Sequence, residues 1–110
     1  MRSDRERLLD VIEAIERIEK YSQKSKTEFD NNELVQNWIT HHLLIVGEAA
    51  AQISEEIQDE YSEIPWSKII GMRNILVHGY FEIDNEVVWS VVEKDLPELK
   101  KSIRKILKEI

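Results

Sequence analysis

At 110 residues, 42% hydrophobic and 34% charged, the chain can bury one core and is too apolar for a disordered polymer. It has no cysteine, which excludes a disulfide framework and a thiolate metal site and fits a reducing cytoplasm. Its net charge of −7 argues against broad nucleic-acid binding, and its longest apolar run, LLIVG, is too short to cross a bilayer.

With three glycines and two prolines, turns are few, and the expectation is an all-α antiparallel bundle of four to five helices forming one domain over residues 1–110. The charged N-terminus, MRSDRERLLD, has no apolar signal core, so a cytoplasmic location is expected. The first helix is predicted from about Asp4 to Tyr21. Ser3 and Glu6 form a capping-box pattern at its start. Leu8, Val11, Ile12, Ile15 and Ile18 make one apolar stripe. A polar stretch follows, with room for a short turn around Thr27 to Phe29.

A second, long helix is expected from about Asn32 to Tyr61, because Leu34, Val35, Trp38, Ile39, Ile45, Val46, Ala49, Ile53 and Ile57 recur at helical intervals. Gly47 and the alanines at 49, 50 and 51 leave room for another helix, in the bundle centre or at a subunit interface. Pro65 opens a third helix running to His78, and Gly79 stands where a left-handed stop takes glycine. Asp84 is the expected N-cap of a fourth helix, with Val87, Val88, Val91 and Val92 inward. Pro97 is read as an interruption before a fifth helix carrying Leu99, Ile103, Ile106 and Leu107 on one face.

The stretch GMRNILVHGYFEID carries the most chemistry. Residues 64 to 81 contain no Asp or Glu, although 22 of the 110 residues are acidic, and the same window holds Lys68, Arg73 and His78. This is either a local phosphate-holding patch in an acidic body or a chance gap around an apolar helix. Asn74 and His78, four apart, share a helix face. Arg73 and His78, five apart, are turned about 140° from each other, so a second copy of the chain could complete such a site. Guanidinium can grip phosphate oxygens and offset transition-state charge. Imidazole can move a proton near neutral pH, and a helix C-terminus favours its charged form. Together they can cleave RNA without a metal, by attack of the ribose 2′-OH on phosphorus. Spacing alone is met more readily by a salt-bridged Arg, a capping His and a packing Tyr80.

MRNILVHGY resembles the R-x-x-x-x-H-x-Y motif of HEPN-domain ribonuclease toxins of the HepT type, including the polar residue after the Arg. IVGEAAAQIS, IPWSKIIGMRN and VVWSVVEKDLPEL also resemble that family, so the likeness covers nearly the whole chain. The resemblance implies a homodimeric helical bundle that cleaves RNA without metal or cofactor. Its implied partner is a small MNT-class nucleotidyltransferase antitoxin that adenylylates the motif tyrosine. By position, Arg73 and His78 are then catalytic, Asn74 supporting and Tyr80 the modified residue. Glu48 matches the family's helix acid, and either orients Arg73 or His78 or simply pairs a buried Arg. His41 and His42, where relatives carry basic residues, face an RNA groove or are ordinary exposed helix histidines. The alternatives are a non-catalytic nucleotide- or partner-binding module working with a nucleotidyltransferase, and a purely structural helical dimer.

Overall fold

The computed structural model describes residues 2–22, 25–78 and 84–110; the side chains at 75, 77 and 78 lie outside that description. Among the described residues every regular element is helical. The predicted capping box starts α1 (Asp4–Ser22): Ser3 Oγ accepts from Glu6 N, and the Glu6 carboxylate accepts from Ser3 N, each at 3.2 Å. The Ser3 N–H and then its hydroxyl hold the Glu6 carboxyl below its ordinary range. Leu8, Val11, Ile15 and Ile18 are buried as their spacing requires. The short turn is a real element, α2 (Lys26–Asp30), capped by Ser25, and its Phe29 is buried with its ring 5.1 Å from that of Trp89.

The long helix expected over 32–61 is two. α3 (Glu33–Ala51) is capped by Asn32, and α4 (Glu55–Glu60) by Ser54. Apolar spacing runs through Ile53 and Ile57, so the pattern hides the break. What permits it lies far away in sequence: the Asp4 carboxylate accepts from Ser54 N at 2.9 Å, satisfying a donor that the broken helix exposes. Leu34, in the same apolar series, is 81% exposed.

α5 (Trp66–His78) follows Pro65, whose carbonyl accepts from Ile69 N at 3.1 Å. α6 (Asn85–Ser90) starts on Asp84, whose carboxylate accepts from Glu86 N. Val88 and Val92 are buried, whereas Val87 is largely exposed. Pro97 does not interrupt the chain. α6 runs through a π-helical turn (Val91–Asp95) into α7 (Leu96–Glu109), with Leu96 N donating to Val91 O. Proline cannot donate and crowds the carbonyl four residues back. The wider turn makes room for the ring, so the helix bends its hydrogen bonding instead of ending.

α1 lies antiparallel to α3, because Asp4 meets Ser54 at one end while Trp38 Nε1 donates to Arg17 O at the other. α7 is antiparallel to α1 as well: Arg5 reaches Leu107 O, and Lys100 bonds Glu19 at 2.6 Å. α5 packs on the other flank of α3. One core runs from Leu8 to Ile106 between these helices. No helix among the described residues is long and apolar enough to cross a membrane.

Candidate functional site

The site residues sit where α5 crosses α3. Ile69 and Leu76 bury one stripe of α5, and Arg73, four after the first and three before the second, lies on that same stripe. Its stem therefore enters the helix interface. Gly47 is what it meets there: a methyl on Gly47 would stand 2.5 Å from Arg73 Cβ. The expectation that Gly47 admits another helix holds, and the helix is α5 of the same chain.

From that crossing the guanidinium emerges beside α3, with the Arg73 side chain 27% exposed and Nε 3.8 Å from a Glu48 oxygen. That is an ion pair without a hydrogen bond. The hydrogen bonds go to its neighbour. Arg73 Nε and Nη2 both donate to Asn74 Oδ1, at 3.3 and 3.0 Å. Adjacent residues do not face each other on a helix, so the long Arg leans back across the surface and Asn74 fixes its plane. Among the described residues nothing else accepts from its remaining N–H groups, which can serve an oxyanion.

Of the five predicted site residues, Arg73, Asn74 and Glu48 are thus brought together. His78 is the last residue of α5, with its side chain outside the description, and Gly79 and Tyr80 lie outside the described residues. The acid-free window is not a free cationic patch. Lys68 lies 3.5 Å from Asp95, and Arg73 has Glu48, so neighbouring elements return the acids that the window lacks.

His42 departs from expectation. It is 5% exposed, with Nδ1 2.8 Å from Trp38 O and its ring 4.4 Å from the Trp38 ring, while His41 is exposed. A histidine four residues after a tryptophan on one helix face stacks on it, and that signal was available in the sequence. Arg7, which faces the same side of α3, had no such signal among the many charges of α1.

The family described as ribonuclease HepT-like matches residues 11–106. The chain is 36% identical to the probable ribonuclease HepT of Thermococcus cleftensis, over 97% of this chain and 98% of that one. It is 32% identical to a provisionally named RNase of Methanocaldococcus jannaschii, over 87% of this chain and 89% of the relative. Another protein of that organism, named as a gamma-glutamylcyclotransferase and provisional RNase, is 37% identical over 91% of this chain. This chain spans only 46% of its length. No solved structure matches the chain.

Proposed function

This chain belongs to the HepT-like ribonuclease family, and on that footing we propose that it is a metal-independent endoribonuclease of a toxin–antitoxin pair, acting in the cytoplasm as a homodimer of one helical domain. The observation that carries this reading is Arg73. Its guanidinium is held in plane by Asn74 and leaned upon by Glu48, one helical stretch before His78.

The chemistry is an internal transfer. The ribose 2′-oxygen attacks the adjacent phosphorus and gives up its proton to solvent or a base. Arg73 offsets the charge growing on the non-bridging oxygens. His78 gives a proton to the departing 5′-oxygen as the P–O bond breaks. The products are a 2′,3′-cyclic phosphate and a free 5′-hydroxyl. In this step Asn74 and Glu48 are positioning residues, since both reach the phosphate only through the guanidinium.

The off-switch in this proposal is adenylylation of Tyr80 by an MNT-class nucleotidyltransferase. AMP there adds bulk and a negative phosphate near the Arg73/His78 pair, which occludes RNA and repels it. The test is the end chemistry of RNA cut by unmodified protein in the presence of a chelator. Cyclic phosphate ends are expected; 3′-hydroxyl ends or a need for divalent metal contradict the mechanism.

Two observations favour a second reading. The Glu48–Arg73 ion pair and the net charge of −7 suit a nucleotide- or partner-binding module that cuts nothing. Stoichiometric binding of the nucleotidyltransferase together with intact RNA would select it.

A further inference from the structure

On the α1 side of Glu48 a groove of about 420 Å³ runs between α1 and α3. That is within the range of small-ligand sites, roughly 300–1,000 Å³. Its walls carry Arg7, Asp10, Glu13 and Arg17 from α1, and His42 and Glu48 from α3. Each of the three carboxylates has a partner: Arg2 bonds Asp10 at 2.7 Å, Arg17 reaches Glu13 at 3.1 Å, and Glu48 has the looser ion pair with Arg73 at 3.8 Å. Arg7 does not. Nothing among the described residues accepts from its buried Nε, and no ion pair among them includes it. The Arg7 Nε–H, buried without an acceptor among the described residues, opposes stability, and the guanidinium has no ion pair among them to give up when a partner from outside the chain takes it.

His42 supplies the opposite polarity. A carbonyl oxygen can only accept, so Nδ1 of the neutral ring donates to Trp38 O and Nε2 is left as an acceptor. Glu48 adds a carboxylate that is ion-paired to Arg73 but has no hydrogen bond there. The walls hold two arginines against three carboxylates, which does not suit a bare phosphate. They suit a neutral planar group that both donates and accepts. Guanine does so asymmetrically, with paired N–H groups for a carboxylate and O6/N7 for a guanidinium. Unstacked RNA bases are commonly read in this way.

We propose that the α1–α3 groove is a base-recognition pocket for a guanine next to the scissile phosphate, with Arg7 and Glu48 as its specificity residues. Glu48 links the two sites, since it lines the groove and faces Arg73. The role in cleavage rests on the ribonuclease reading, whereas the binding of guanine does not.

The test titrates the purified full chain with guanosine 5′-monophosphate, cytidine 5′-monophosphate and inorganic phosphate, followed by NMR. Wild type is expected to bind the guanine nucleotide at least about tenfold more tightly than the other two. Arg7→Gln is expected to lose that margin while its melting temperature stays level or rises. Equal binding of all three probes, no binding, or an unchanged margin in Arg7→Gln overturns the pocket. Sequencing of cut ends separates the two claims. Guanine-selective binding with intact RNA removes the catalytic reading and keeps the pocket. Cleavage with no base preference and no nucleotide binding does the reverse.

Discussion

Gly47 and Arg73 meet where α3 and α5 cross, and the site depends on that glycine having no side chain. A methyl there would lie 2.5 Å from Arg73 Cβ and 3.2 Å from Cγ. Neither atom is the free end of a flexible chain, so the helices must part. Gly47→Ala is expected to cost about 1–3 kcal/mol despite its better helix propensity. Urea unfolding measures the cost. RNA cleavage should fall further than the lost stability explains, because the same displacement moves the guanidinium.

Gly71, also in the interior of α5, is the control. A Cβ there meets nothing within 4 Å. Gly71→Ala should stabilise the protein by about 0.5–1 kcal/mol, since only the helix-propensity gain remains. Loss of stability in this variant would mean that a second chain packs against that face.

Arg73→Lys keeps the charge and loses the fork. A lysine has one nitrogen, so it cannot make the two-donor arrangement on Asn74 Oδ1. Cleavage by this variant is expected to fall by about 10²-fold or more, with little change in melting temperature. Gel assays on labelled RNA, run beside thermal melts, read both quantities.

The helices' far end has a pH signature. Tyr61 OH donates to a Glu109 oxygen, and that bond, with lesser help from burial, raises the phenol from 10 to about 12. Only the neutral phenol donates. The stabilisation is therefore complete below the unfolded value near 10 and is lost as pH climbs through the folded value near 12. Tyrosinate absorbance should show this late titration in wild type, and Glu109→Gln should return it toward 10. An unmoved titration would remove Glu109 as the cause.

Local signals are legible where they are chemically complete. The Ser3/Glu6 box, the Asp84 cap and the start of α5 after Pro65 each need only residues within one helical turn. The structure departs from the local pattern where distant residues decide. The break after Ala51 is supported by Asp4, and apolar spacing continued through it. Pro97 looked like an end because the π turn that accommodates it leaves no compositional mark. Within the site, Gly47 as a place of close approach was legible. The resemblance offers Arg73, His78 or a buried Arg as the partner of Glu48, and the crossing of two helices brings it to Arg73. Arg7 becomes notable only once the fold buries its Nε with no acceptor among the described residues.

The central claim is that Arg73 and His78 form one catalytic unit. Its most direct test is the single-turnover cleavage rate of wild type, Arg73→Ala, His78→Ala and the double variant, each demonstrably folded and free of AMP. Each single variant should lose at least about 10²-fold, and the double variant should lose scarcely more than the worse single one, as groups acting as a unit do. Wild-type cleavage by Arg73→Ala, or RNA left intact by the unmodified wild-type protein, would contradict the account.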